Sequence, residues 1–188
     1  MPALTLFLKH VELAIRLHAA VPELELVDAY AHAGAAIDAA TPRVQPELLL
    51  AIAFVESRFD TTATSRVEGR RRRTGHYASS SPPAGLDRRA SLYCGPLQTY
   101  AGSWSECMAM RALPAAYAAG VAELESWLRD RRVGGDVSRA LAGHGCGNHG
   151  VTTGRCNSYP GRVLWTERRF GSGMPPREHV QARPAPRA

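Results

Sequence analysis

The chain of 188 residues is predicted to be mainly α-helical, with a small irregular or β lobe. Alanine-rich stretches recur along it, runs of β-branched residues are few, and apolar residues repeat at three- and four-residue spacing in several segments. From Thr61 to Leu92 that spacing disappears, and Arg, Ser, Gly and Pro become frequent. This change predicts a lobe outside the helical core, formed by a small irregular β-hairpin.

Helical patterns fill most of the remaining chain. The first two are predicted over Leu4–Ala20 and Leu24–Ala40, with a break near Pro22. A third helix is predicted from Pro46 to Phe59, because Leu48, Ile52, Val55 and Phe59 recur at helical spacing. Later helices are predicted over 97–111, 114–131, 137–142 and 160–169, with a loop over 143–158.

The length predicts one main domain, over residues 23–170. Residues 1–22 are predicted to form a helical extension, and 171–188, which are rich in proline, a disordered tail. No apolar run reaches the length of a membrane span. The apolar run Leu4–Leu8 is too short for a secretory signal, so we expect no signal peptide of that kind.

Glu56 is the leading candidate for catalysis. It is the only carboxylate in the apolar segment Ala51–Phe59, and it lies immediately beside the predicted core-facing stripe. Apolar surroundings favour the neutral form of a carboxyl group. A neutral carboxylic acid is what glycoside cleavage needs as its proton donor. The alternative is an exposed glutamate in a surface ion pair.

Three segments in this order resemble motifs of the lytic transglycosylase family, lysozyme-like enzymes that cut peptidoglycan. The pair Glu56-Ser57 matches the family's Glu-Ser pair, and Gly95-Pro96-Leu97-Gln98 matches its Gly-Leu-Met-Gln turn at both ends. In the third segment, Ala140–Gly147, His144 stands where Tyr is usual and Gly145 where Asn is usual. The segment beginning at Tyr159 looks like the family's closing helix. The resemblance spans roughly residues 26–170.

The resemblance implies a lysozyme-like fold and cleavage of the bond between N-acetylmuramic acid and N-acetylglucosamine, with Glu56 as general acid and then base. This reaction requires no metal or cofactor. The partner is the peptidoglycan glycan strand, and the expected substrate-binding residues are Ser57, Gln98, Tyr100, His144, Asn148 and Tyr159. Hydrolysis is the nearest alternative, and it needs a second carboxylate. The candidates for that carboxylate are Asp60, Glu68 and Asp87.

The four cysteines allow three disulfide connectivities. The local pairing of Cys94 with Cys107 and Cys146 with Cys156 is favoured, because each bond would close a short loop beside one of the family's motifs. Disulfides imply an oxidising destination. A zinc site is the competing interpretation, with the ligands His144, Cys146, His149 and Cys156.

The net charge of +6 suits an anionic partner such as a cell wall. Nucleic acid is a weaker candidate, because the run Arg70–Arg73 has no interleaved aromatic residues and a solvated loop is the simpler interpretation. Trp104, Trp127 and Trp165 are predicted to be core residues. The expected site of action is the periplasm or cell wall, reached as a virion component in contact with other tail proteins. A non-catalytic virion or wall-binding protein with the same fold is a further alternative.

Overall fold

The computed structural model describes residues 2–68, 71–76, 81–82, 91–154 and 156–172. The described part confirms a mainly helical chain with a small antiparallel sheet. Its elements, in chain order, are α1 (Pro2–Ala20), α2 (Leu26–Ala39), α3 (Pro46–Ser57), β1 (Ala63–Glu68), β2 (Arg71–His76), β3 (Ser91–Cys94), β4 (Thr99–Ala101), α4 (Trp104–Ala109), α5 (Leu113–Arg129), α6 (Val137–Thr153) and α7 (Tyr159–Ser172).

Helix α3 is the central element of the core. All seven residues from Leu48 to Phe54 are buried, so the helix is apolar on every side and packs against α2, α5 and α7. Pro46 occupies its first turn, where a missing N–H costs nothing. The helix ends when Arg58 and Phe59 take left-handed conformations, with φ of 58° and 68°. The polar residues Glu56 and Ser57 therefore lie in its last turn, at the edge of the core.

Helix α1 packs against α2 and α7. It places Leu13, Ala14 and Leu17 in the same buried cluster as α3, so the segment predicted as an extension is part of the main core. Residues 173–188, most of the predicted tail, lie outside the described residues. Among the described helices, none is long and apolar enough to cross a membrane.

The four strands form one antiparallel sheet in the order β2-β1-β3-β4. Strands β1 and β2 pair as a hairpin within the segment that lacks helical periodicity, as predicted. The prediction of a helix over 97–111 was wrong in its first half, because residues 99–101 form β4. Helix α4 begins only after Ser103, whose side chain accepts a hydrogen bond from the backbone N–H of Glu106.

Helix α6 is much longer than predicted. It runs to Thr153, so residues expected in a loop from Gly143 onward are helical. The helix has one kink, at Gly147, whose φ of 58° and ψ of −150° are not helical. Only glycine adopts such a backbone conformation readily. The abundance of glycine, which suggested a loop, instead marks a bend within a helix.

Both predicted disulfides are confirmed. Cys94 is bonded to Cys107, which joins β3 to α4, and Cys146 is bonded to Cys156, which joins α6 to the segment before α7. Zinc binding by the proposed His and Cys set would require the thiolates of Cys146 and Cys156, which are consumed in their disulfide. No cluster of three or more metal-binding side chains occurs in the described ranges.

Candidate active site

A cleft of about 700 Å³ lies between the sheet and the helices. Its walls come from the end of α3, the turn between β3 and β4, one face of α5 and the middle of α6. Small-molecule sites typically enclose roughly 300–1,000 Å³, so the cleft is large enough for a ligand. Its lining includes Glu56, Val67, Tyr93, Gln98, Thr99, Tyr100, Ala119, Ala122, Glu123, Ser126, Trp127 and Gly143–Gly147.

Glu56 lines this cleft from the last turn of α3. Its side chain is half-buried, between the apolar core behind it and the open cleft in front. The packing of the preceding seven residues fixes the axis of α3 and hence the direction of this carboxyl group. Glu56 can therefore meet a ligand in the cleft while part of its surface is shielded from water.

Ser57 connects the first motif to the second. Its hydroxyl donates to the backbone oxygen of Pro96 at 2.9 Å, and the oxygen of Ala53 lies 3.2 Å away. Ser57 is not part of the cleft lining. The predicted substrate-binding residue thus joins the end of α3 to the turn that carries Gln98.

Gln98 lines the cleft, but its amide is occupied within the protein. Its oxygen accepts from the Ser65 hydroxyl at 2.7 Å, and its nitrogen donates to the backbone oxygens of Ala63 and Gly95, both at 3.0 Å. These bonds hold the residue in a left-handed conformation, with φ of 51°. The side chain is 5 % exposed. Gln98 therefore shapes the wall of the cleft through the turn it stabilises.

Two tyrosines form the exposed part of the cleft wall. Tyr93 of β3 is paired with Tyr100 of β4, so both side chains are on the same face of the sheet. Their ring centroids are 6.0 Å apart in an edge-to-face arrangement. Tyr100 is 54 % exposed, which leaves its ring available to a ligand. Aromatic rings of this kind offer an apolar face on which the C–H groups of a sugar ring can pack.

His144 lies on α6 and is buried against the cleft wall. Its Nδ1 is 3.0 Å from a carboxylate oxygen of Glu123 on α5, and its Nε2 is 3.1 Å from the backbone oxygen of Leu97. Burial by itself lowers the pKa of His144, but the hydrogen bond and charge of Glu123, the charge of Glu56 and the bond to Leu97 together raise it to about 8. Burial by itself raises the pKa of Glu123, but the hydrogen bonds and charge around it, those of His144 foremost, together lower it.

Tyr159 begins α7, and its buried hydroxyl faces Glu56. Burial raises the pKa of this hydroxyl well above its usual value, and the negative charge of Glu56 adds to the rise. The hydroxyl has no hydrogen-bond partner among the described residues, so its interaction with Glu56 is electrostatic. The ring lies 6.3 Å from that of His144.

The structure does not bring Asn148 into the cleft. Asn148 follows the kink in α6, is exposed, and accepts a hydrogen bond from Arg132 at 2.9 Å. Asp60 is likewise absent from the lining and accepts bonds from the N–H and hydroxyl of Thr62. The side chain of Glu68 and all of Asp87 lie outside the described residues, as does Arg70.

Sequence reasoning missed two residues of the cleft, both on α5. Glu123 was not singled out, and Trp127 was predicted only as a core residue; Trp127 does pack against the core, and both side chains line the cleft. A signal existed in the small residues Ala119, Ala122 and Ser126, which recur at three- and four-residue spacing. Small side chains along one face of a helix leave space beside it, and the larger side chains of Glu123 and Trp127 border that space.

The cleft therefore combines a half-buried carboxyl group, a histidine–glutamate pair and exposed aromatic rings. Comparisons of the chain with protein-family models, with curated proteins and with solved structures found no match.

Proposed function

We propose that this chain is a peptidoglycan lytic transglycosylase that cleaves the β-1,4 bond between N-acetylmuramic acid and N-acetylglucosamine. One observation carries the proposal. Glu56, Gln98 and His144, which belong to three motif segments far apart in the sequence, line the same cleft. The charge of +6 also suits binding to an anionic cell wall.

In the proposed reaction, Glu56 is first an acid and then a base. Its carboxyl proton passes to the glycosidic oxygen as the bond to the muramoyl C1 breaks, which releases the N-acetylglucosamine hydroxyl. The Glu56 carboxylate then accepts the proton of the muramoyl C6 hydroxyl as that oxygen bonds to C1. The product is a 1,6-anhydro ring, and Glu56 ends protonated as it began. One carboxyl group serves both steps because the nucleophile belongs to the substrate.

The other residues of the cleft have supporting roles in this proposal. Tyr100, with its exposed ring, is the contact surface for a sugar. Ser57 and Gln98 act indirectly, because both use their polar atoms to hold the turn between β3 and β4. Tyr159 presents its hydroxyl to Glu56 and stabilises the carboxylate formed after the first proton transfer.

Hydrolysis is the second candidate, and Glu123 favours it. A hydrolase needs a second carboxylate that positions water across the sugar, and Glu123 lines the same cleft as Glu56. Against this role, one Glu123 oxygen is bonded to His144 and the other accepts the backbone N–H of Tyr100 at 3.3 Å. A carboxylate with both oxygens engaged is poorly suited to activate water. We therefore favour ring closure.

The products distinguish the candidates. Purified murein is incubated with the protein, with a sample lacking protein as the control, and the soluble fragments are analysed by mass spectrometry. We expect fragments ending in anhydro-muramic acid, each lighter by one water than the hydrolytic product. Fragments with reducing ends would support hydrolysis instead, and the absence of fragments would contradict both candidates and favour a non-catalytic protein.

A further inference from the structure

The His144 side chain lies between two fixed hydrogen-bond acceptors. It is 2 % exposed, with Nδ1 3.0 Å from the Glu123 carboxylate and Nε2 3.1 Å from the Leu97 carbonyl oxygen. A carbonyl oxygen only accepts hydrogen bonds, so Nε2 must carry a proton. An ionised carboxylate also only accepts, so Nδ1 must carry one too. The ring is therefore held as an imidazolium cation.

This cation connects both ends of a short segment of the cleft wall. It bonds directly to Leu97, next to Gln98, and it bonds to Glu123, whose second oxygen accepts the N–H of Tyr100. The ion pair thus fixes residues 97–100, which contribute Gln98 and Tyr100 to the cleft. If the proton on Nδ1 is lost, a nitrogen lone pair faces the Glu123 carboxylate, and the hydrogen bond between His144 and Glu123 is lost.

The charged groups around His144 come from each helix that packs there. Glu56 on α3 and Glu123 on α5 both act on its charge, whereas Tyr159 on α7 stays neutral because its pKa is raised. The turn between β3 and β4 contributes only the Leu97 carbonyl. Two carboxylates therefore face one cation, and the cation reduces the electrostatic cost of a second negative charge when Glu56 gives up its proton.

We propose that protonated His144 is a positioning residue for cleavage, which holds the cleft wall through Glu123 and Leu97 and stabilises the carboxylate of Glu56. This inference rests on the proposed function. His144 has no nitrogen free to exchange a proton with substrate, so it acts through these neighbours. Cleavage then requires the protonated ring, so kcat falls as pH rises and His144 loses its proton.

The test measures kcat and KM on solubilised glycan strands between pH 6 and pH 9. For the wild type, kcat is expected to fall as pH rises past about 8, where His144 loses its proton. In His144→Gln, which can still donate to Leu97 but carries no charge, kcat at pH 7 should fall about 10- to 100-fold and the decline in kcat centred near pH 8 should vanish. His149→Gln is the matched control, since His149 is exposed on the same helix and outside the cleft.

Nuclear magnetic resonance of the histidine rings tests the ion pair without any activity. Both His144 nitrogens should carry protons at pH 7, and Glu123→Gln should move the loss of that proton to lower pH. A neutral ring at pH 7, or a decline in kcat centred near pH 8 that persists in a folded His144→Gln, would overturn the inference while the proposed function stands. A wild type that cleaves no glycan would overturn the proposed function and the positioning role together.

Discussion

At the scale of single residues, the site depends on the neighbours of Glu56 as much as on Glu56 itself. His144 and Tyr159 approach it from α6 and α7, and their own titration is shifted by its charge. His144 and Gly145 each have a local role in the structure. His144 pairs with Glu123, and Gly145 leaves space for the Tyr159 ring.

Replacing Gly145 with Ala should impair cleavage. A Cβ at this position would lie 2.7 Å from the Tyr159 ring and 3.1 Å from the sulfur of Cys156, so the ring must leave its present position beside Glu56. A misplacement of about 1 Å near a reacting group can cost roughly 100-fold in rate, and we expect a loss of about 10- to 100-fold. Overpacking should also lower the free energy of unfolding by about 1–3 kcal/mol.

The control for this substitution is Gly161→Ala, one turn into α7, where a Cβ meets no atom within 4 Å. Rates of murein cleavage are compared with circular dichroism as a check of folding. A Gly145→Ala protein with the rate of Gly161→Ala would show that the position of Tyr159 does not matter.

At the scale of elements, the sequence was most informative where one local pattern determined the structure. Helix α3 was predicted within two residues of its true end, because its apolar side chains and Pro46 favour the same conformation. The prediction failed at β4, where apolar spacing compatible with a helix continues from Leu97. Its strand is set by pairing with Tyr93 and by three hydrogen bonds of the Gln98 amide, which are tertiary contacts.

The candidate site was predictable to a similar extent. Of the seven residues predicted for the site, Glu56, Gln98, Tyr100 and His144 line the cleft, whereas Ser57, Asn148 and Tyr159 are not part of its lining. Glu123 was not singled out, because its role depends on a contact with His144, which lies 21 residues later in the sequence. A glutamate in the middle of an amphipathic helix has no local feature that distinguishes it from a solvated one.

At the scale of the whole molecule, a buried polar contact connects helices α2 and α5 in the core. His32 on α2 accepts or donates a hydrogen bond at 2.9 Å with the hydroxyl of Tyr117 on α5, and its ring lies 4.9 Å from that of Phe59 at the end of α3. Burial lowers the pKa of His32 to about 4, against the opposing effects of the Asp28 charge and the Phe59 backbone. The neutral ring is therefore part of the folded core.

We expect this histidine to make the fold sensitive to acid. Its pKa is about 4 when folded and 6.5 as the unperturbed reference, so its contribution to stability is complete above pH 6.5 and is lost as pH falls through 4. The loss should be on the order of 3 kcal/mol in the free energy of unfolding. In His32→Phe this part of the pH dependence should disappear.

Urea unfolding at pH 7 and pH 4 measures this effect. The stability of the wild type relative to His32→Phe should fall by about 3 kcal/mol between pH 7 and pH 4, whereas His149→Phe, at an exposed position, should follow the wild type at both values. A difference between wild type and His32→Phe that stays constant with pH would contradict the assignment of acid sensitivity to His32.

In the proposed reaction Glu56 carries out glycan cleavage, and the substitution Glu56→Gln tests this role. Glutamine is nearly the same size, so the packing of α3 should survive, but an amide cannot deliver the proton.

Glu47→Gln is the control, since Glu47 lies in the first turn of the same helix, where it pairs with Arg16. Both variants are assayed for murein clearance at several pH values, with circular dichroism to verify folding. Glu56→Gln should lose activity by about 10⁴-fold or more, the upper range for general acid–base catalysis, while Glu47→Gln keeps it. A folded Glu56→Gln protein that clears murein at the wild-type rate would contradict the role of Glu56 as general acid and base.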